Sequence, residues 1–427
     1  MAKVRGGAQV GMQEETERFD GWSVSIKHSR LSRSGIRSLL MNAMPQSEGV
    51  FRRRYAVQIS AMHALDISKA EGLNHLFRLP VLAADAEQPA IAPSLYRQLE
   101  KMAIRVLYTL GLSSGEVILV SGGGDRKYAV EKVTPLAHLE DQRLQRLYRR
   151  AEREQKRKTA EEGENTSTLM LGMDPEFIIL DPRKLDVVPA SLYLGREGEV
   201  GCDAVHGEGV TTYPIAELRP LPSPDPRGLL VGLMRTMRMA GEMIHDRSLQ
   251  WLAGGMPKPG LPLGGHLHFS GVELTAELLR ALDNYLTLPV SVLEATSSQS
   301  RRPKYGYLGD FRRQPHGGFE YRTLPSFLVS PLLTKAVVYL AYVIVSDYHL
   351  LSRRPLDDDD RVHRAYYAGD KEKLRACLEP LISDLQSLDR YKEVEAYTEP
   401  LFRQIREGNV WNEFRDIRPL WNIPFQP

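Results

Sequence analysis

The chain has 427 residues, with 56 Lys and Arg against 54 Asp and Glu, a formal net charge of +2. So even a balance gives no global field to draw the protein to nucleic acid or to a membrane surface, and 42% hydrophobic with 26% charged residues is ordinary globular composition. The length leaves room for two domains. Cys202 and Cys377 fit no zinc or redox spacing, so a reducing, cytoplasmic setting is expected. The first twenty-odd residues lack an apolar core, and the run Leu332 to Val345 is short and carries Lys335, so neither a signal peptide nor a membrane span is expected.

Residues 1–48 are polar, rich in Ser and Arg, and weakly periodic; they read as an irregular N-terminal arm. Residues 49–137 read as an accessory α/β domain of unknown role. RRYAVQIS and FRLPVLAA suit strands, SLYRQLEKMAIRVLYTLGL has helical spacing closed by a glycine, and GEVILVSGGGDRKYAVEKVTPL suits two strands joined by a turn. SGGGD resembles a phosphate loop only in its glycines, because no Lys-Ser/Thr pair or helix follows. Residues 138–165, with acids and bases mixed at helix-neighbour spacings, predict a solvated connecting helix, and Gly163 marks the boundary. RRAEREQKRK is interleaved with glutamate and lacks aromatics, which argues against nucleic-acid binding.

Residues 166–352 carry the chemistry. In GGHLHFS, Gly264 to Ser270, a strand puts His266 and His268 on one face and Leu267 and Phe269 on the other. GMDPEFIILD places Asp174 and Glu176 on one face in the same way, SLYLG and PIAEL continue the strand character, and Glu217 and Glu320 lie in two further short alternating runs. Four carboxylates beside imidazole would raise one another's pKa, and two or three magnesium ions would remove that conflict. Arg219 and Arg322 each follow a glutamate by two, on the same face. Guanidinium forks suit phosphate oxygens, so metals and arginines in one cleft point to a nucleoside triphosphate. RGLLVGLMRTMRMAGEMIHD, ELTAELLRALDNYLTLPVSVLEAT and SPLLTKAVVYLAYVIVSDYHLL read as three helices, the last buried. Residues 353–427 read as a C-terminal helical extension. In it Asp357 to Asp360 suits a solvated turn, and NVWNEFRDIRPLWNIPF suits an aromatic strap.

GMDPEFIILD, GCDAVHGEG, AELRPLPS, GGHLHFS, YGYLGDFR and GGFEYRTLPSFLVSP, in that order, resemble the glutamine synthetase and glutamate–cysteine ligase superfamily. The match is nearest to bacterial and phage amidoligases described as COOH-NH2 ligases, and it runs from about Met170 to Leu351. The resemblance implies an α+β fold, a curved antiparallel sheet backed by helices with metals on its open face. It also implies a ligase joining a small-molecule or peptide carboxylate to an amine through an acyl phosphate, using ATP and magnesium or manganese. One metal would be held by Asp174, His266 and Glu320, the other by Glu176, Glu217 and either Glu208 or Asp203. Asp174 stands where glutamine synthetase has a glutamate. Arg322 would neutralise the transferring phosphate, with Arg312 and Arg219 also toward nucleotide, and His268 would stand behind the ligands. A guanidino kinase-like phosphotransferase and a degenerate binding scaffold are the alternatives. Tyr213, Tyr305 and Tyr307 are the only hints of specificity. A homo-oligomer, or a protein partner on the N-terminal region, would be compatible with this family.

Overall fold

The computed structural model describes residues 2–41, 53–70, 76–79, 92–121, 128–164, 168–207 and 209–425. The SGGGD glycines, part of FRLPVLAA and Glu208 lie outside them. The chain divides into two compact units, one formed by Met1–Thr166 with Asp357–Arg364, the other by Ser167–Leu356 with Ala365–Pro427.

The first unit opens not with an irregular arm but with two helices, α1 (Ala2–Gly21) and α2 (Val24–Arg33). Their apolar stripe is thin, which hides them from a hydrophobic-period reading. Helix α2 is capped by the Ser23 side chain, which accepts from the Ile26 amide, and its Arg30 is buried with Nε donating to the Thr109 carbonyl at 3.1 Å. The sheet has the order β3-β2-β1-β4-β5, with β1 (Arg54–Ser60), β2 (His63–Ala70), β3 (Leu76–Leu79), β4 (Gly115–Ser121) and β5 (Tyr128–Pro135), antiparallel throughout. Helix α3 (Pro93–Thr109) buries Leu99, Ala103 and Leu107 against β1 and β4. Helix α4 (Gln142–Glu164) is charged as expected, but its first turns bury Leu144 and Tyr148, so it packs on the sheet instead of standing free. The four aspartates do not form a solvated turn. Asp357 is buried, Asp358 pairs with Arg18 at 2.7 Å, and Asp360 pairs with Arg33, because acids at a helix start are favoured and arginines meet them.

The second unit is built on β6 (Met170–Asp181), a twelve-residue strand buried along nearly its whole length. Around it stand β7 (Asp186–Val188), β8 (Val200–Gly207), β9 (Val210–Leu218), then α5 (Pro226–Met243), β10 (Gln250–Leu252) and β11 (Gly265–Ser270). After α6 (Ala276–Leu282) and α7 (Leu288–Leu293) come β12 (Phe311–Arg313), β13 (Phe319–Tyr321) and α8 (Pro331–Asp347). The chain ends through α9 (Pro355–Asp358), α10 (Asp360–Ala368), α11 (Lys371–Arg375), α12 (Leu378–Gln386) and α13 (Tyr391–Arg406). The eight strands curl into one antiparallel sheet of order β12-β13-β11-β6-β9-β8, with β7 and β10 paired to the far half of β6. SLYLG is not a strand; Ala190–Leu192 is a 3-10 turn entered from Pro189.

One face of the sheet is closed by α5, capped by the Asp225 side chain on the Gly228 amide, and by α8 behind it. By length and composition the helical stretch Pro331–Leu350 could cross a membrane, yet its Leu333, Val337, Leu340, Val343 and Ile344 are buried among α5, α6 and α13. The second predicted helix is interrupted by a π turn, Asp283–Thr287, between α6 and α7. Pro289 lacks the amide that would bond one turn back, and a wider turn there absorbs the gap.

Candidate functional site

Strand alternation and register carry the site. β13, β11, β6 and β9 are consecutive in the sheet, and across them His268 pairs with Glu320, His266 with Asp174, and Glu176 with Glu217, while Arg312 on β12 pairs with Glu320. Opposed residues in a ladder project to the same side, so Asp174, Glu176, Glu217, His266, His268, Glu320 and Arg312 come onto one face. All of these but His268 and Arg312 are buried, Glu320 completely.

At its centre His266 Nδ1 lies 3.1 Å from Asp174 Oδ1 and 3.2 Å from Glu320 Oε1, and His268 Nε2 lies 3.0 Å from Asp174 Oδ2. Arg322 Nε stands 3.0 Å from Glu320 Oε1, and Arg312 Nε donates to Glu320 Oε2 at 2.6 Å. Gln314, which the sequence did not single out, donates to the same oxygen at 3.1 Å. Arg219 donates to Glu217 and to the carbonyls of Arg196 and Gly198, so it is anchored on the loop before β8. Gly201, opposite Glu217, leaves the space that this guanidinium fills; a Cβ there would lie 2.2 Å from Arg219 Nη1.

Close approach is not the same as satisfaction. Asp174 Oδ1, His268 Nε2, Glu320 Oε1 and Arg322 Nε are buried and have no aligned hydrogen-bond partner among the described residues. Donor atoms of Asp174, His268 and Glu320 all lie within 4.8 Å of one another, which suits a single divalent cation coordinated by oxygen and imidazole. The imidazole in that group is thus His268, expected behind the ligands, while His266 bridges the two carboxylates. Beside it, Glu176 accepts from the Gly264 amide at 2.6 Å and faces Glu217, a pairing that suits a second cation. Asp203 is near enough that its charge helps raise both glutamates; Glu208 lies outside the described residues.

The electrostatics follow from burial. Burial pushes the Glu176 carboxyl up to about 7 against the pull of His266, and burial with the Asp174 charge pushes Glu217 up to about 8. Burial disfavours the charged His266, but Asp174, Glu176 and Glu320 outweigh it and lift the imidazole to about 9. Burial also opposes ionisation of Asp174, yet the two histidines hold its carboxyl well below the usual range. A site that keeps protons on carboxylates at neutral pH is one in which a cation can replace them.

Three supports escaped the sequence. The Tyr321 hydroxyl, on the far face of β13, donates to Asp283 at 2.5 Å and lies 2.6 Å from Thr287 Oγ1, so the π turn pins the strand that carries Glu320. The Ser326 hydroxyl donates to the Glu176 carbonyl at 2.5 Å. Glu413, fully buried, accepts from the Gly255 and Met256 amides, the Ser297 and Ser298 hydroxyls and Trp411 Nε1, tying the C-terminal strap to the loop that leads into β11. Polar residues in a loop-rich tail give no periodic signal, so only the folded chain shows them. Of the tyrosines expected to set specificity, Tyr213 stacks on Arg196 at 4.4 Å and Tyr305 is exposed, whereas Tyr307 is buried with its hydroxyl on Asp310.

A curled antiparallel sheet with converging acids and imidazoles, ringed by arginines, defines a candidate cation-dependent catalytic platform. The family model described as phage phiEco32-like COOH.NH2 ligase-type 2 matches residues 171–423, and the chain belongs to that family. The match continues past Leu351 through the C-terminal helices to the strap. No curated protein matches the chain. Among solved structures it is similar to a bifunctional glutathione synthetase from Pasteurella multocida, at 11% identity and a TM-score of 0.38, covering 61% of this chain and 50% of that one. It is also similar to glutamine synthetase from Plasmodium falciparum (11%, 0.27, 71% and 73%) and to apo GmaS (11%, 0.30, 89% and 96%). The chain thus spans half the length of the Pasteurella structure that it matches.

Proposed function

We propose that the protein is an ATP- and magnesium-dependent carboxylate–amine ligase that forms an amide bond through an acyl phosphate. The observation that carries this reading is the convergence of Asp174, His268 and Glu320, each with one buried polar atom that lacks an aligned hydrogen bond, with Arg312 and Arg322 on the same glutamate. Carboxylate with imidazole suits magnesium or manganese, and the family supplies the reaction class.

Asp174, His268 and Glu320 would hold one cation and Glu176, Glu217 and Asp203 a second. Such ions supply neutralisation of phosphate charge. Arg322 and Arg312 are half-open guanidiniums, 26% and 55% exposed in their side chains, so they can leave Glu320 and fork onto phosphate oxygens once that carboxylate has another partner. The substrate carboxylate oxygen then bonds to the γ-phosphorus as ADP leaves; the amine nitrogen attacks the acyl carbon, phosphate departs, and the amine proton goes to solvent. The buried floor under Glu320 and Glu176 limits the water that would hydrolyse the acyl phosphate.

The test is ADP and phosphate release by the full chain with magnesium, against paired acids and amines, beside Glu320→Ala. Release that needs both an acid and an amine, and is lost in Glu320→Ala, supports the ligase. Turnover indifferent to Glu320→Ala, or to omission of either substrate, overturns it.

A further inference from the structure

Helix α4 has an outer face that the ligase reading does not use. Its inner side is set by packing, with Leu144 and Tyr148 buried and Leu147 and Ala151 half-buried. At 3.6 residues per turn, Arg146, Arg149, Arg150, Arg153 and Arg157 then fall within about 100° of arc on the opposite side, and all five are exposed. In the linear sequence Glu152 and Glu154 interleave with these arginines. On the helix both glutamates lie outside that arc, one on each flank. Arg143 does not belong to the face, because it lies 3.7 Å from Asp66 and directly follows the exposed Glu140 and Asp141. The face is bounded at Arg157, where the described side chains of the helix end.

These arginines do not form an ion-pair lattice. Arg146 Nε donates to the Gln142 carbonyl at 3.2 Å, and Arg149 donates to the Gln145 carbonyl and side chain at 3.3 and 3.2 Å, all within the same helix. Among the described residues none of Arg146, Arg149, Arg150 and Arg153 pairs with a carboxylate, and Arg150 and Glu154 stay apart although they are one turn distant. Exposed arginines elsewhere in the chain are matched: Arg361 with Asp359, Arg364 with Asp360, and Arg406 with Glu379 and Glu399. A face built for solubility alone would mix its signs in the same way. Here Arg146 and Arg150, Arg149 and Arg153, and Arg153 and Arg157 put like charges one turn apart, which destabilises the helix until an anion lies over them.

The arrangement narrows the choice of anion. Guanidinium forks match phosphate oxygens. The stripe is about 16 Å long with about one cation per 4 Å, and one strand of duplex DNA carries one phosphate per about 3.4 Å. No aromatic or aliphatic side chain shares the arc, so the face has nothing to stack on an unpaired base and nothing to insert into a bilayer. Guanidinium groups only donate, so the face has no acceptor for the 2′-hydroxyl that distinguishes RNA.

We propose that the outer face of α4 binds the sugar–phosphate backbone of double-stranded DNA without reading its sequence. The face uses no residue of the second unit and does not depend on the ligase reading.

Fluorescence anisotropy of a labelled DNA duplex of mixed sequence, titrated with the full chain over a range of salt, tests it. The expected result is micromolar binding at ~50 mM salt, with the logarithm of the association constant falling against that of salt with a slope of about −4, as four or five phosphate contacts require. The combined variant Arg146→Gln, Arg149→Gln, Arg150→Gln and Arg153→Gln should bind about 100-fold more weakly and flatten the slope to about −1. Glutamine is a good helix former and relieves the like-charge pairs, so the helical circular dichroism and melting temperature of that variant should not fall. Glu154→Gln, which removes a flanking acid, should tighten duplex binding by about 2-fold or more, and it decides the matter if the combined variant misfolds. Glu320→Ala should bind the duplex as the unaltered chain does. Absence of binding at ~50 mM salt, binding that the combined variant leaves unchanged, or tighter binding to duplex RNA or to vesicles of anionic phospholipid overturns the proposal.

Discussion

Glu320 is shared by Arg312, Arg322, Gln314 and His266 while fully enclosed, so it is the residue whose loss leaves the most charge unmatched. Glu320→Gln, which keeps the shape, should weaken magnesium binding by at least about 10–100-fold in a calorimetric titration, and an unchanged affinity would remove it from the ligand set. The pH dependence has a definite sign. Glu176 and Glu217, at about 7 and 8 when folded against 4.5 otherwise, keep protons that the unfolded chain releases. They stabilise the fold fully below about 4.5, and that contribution is lost as pH rises through 7 and 8. His266, at about 9 against 6.5, contributes below 6.5 and loses this as pH rises through 9. Asp174 acts oppositely, but its loss falls only in strong acid. In chelator the melting temperature should therefore fall from pH 5 to 9, and the stabilisation by millimolar magnesium should grow over the same range; a level profile in chelator would contradict the burial argument. Most of these residues were legible in the sequence because period-two spacing fixes their faces: Asp174 with Glu176, His266 with His268. Which histidine joins the oxygen group was not legible, since both face the same way and only cross-strand register separates them.

At the scale of elements, the strand carrying Glu320 is three residues long and has little hold of its own. Its position is set from behind, by Tyr321 on the π turn between α6 and α7. Tyr321→Phe removes a hydroxyl and leaves buried Asp283 short of a donor, which should cost about 1–3 kcal/mol in denaturant unfolding. It should also raise the magnesium requirement, because β13 can then shift; unchanged stability would mean the π turn is incidental. The four central strands of the site were legible from alternation closed by Gly and Pro. The π turn was not, because a helix carrying Pro289 and a helix with a widened turn show the same apolar spacing. Helix α2 was missed for a related reason: it is held by its Ser23 cap and by the bonds of buried Arg30, neither of which has a period.

At the scale of the molecule, the two units have separate cores. Scanning calorimetry should resolve two transitions, with magnesium raising the one that belongs to Ser167–Leu356 and Ala365–Pro427 and leaving the other in place. A single transition moved as a whole would show that the units unfold together. The sequence placed a boundary near Gly163, which lies inside α4, whereas the units divide between Thr166 and Ser167, and that the segment Asp357–Arg364 groups with the N-terminal unit could not be read from a linear string. Glu413 gives this non-sequential build a consequence in time. The loop entering β11 cannot be fastened until that glutamate has been translated, and at ordinary elongation rates the ribosome needs on the order of 5–20 s to travel there from Glu320. For those seconds every ligand of the candidate cation site has been made while the loop entering β11 is still untied, so a nascent chain that stalls or is clipped before Glu413 carries the whole motif set without that fastening.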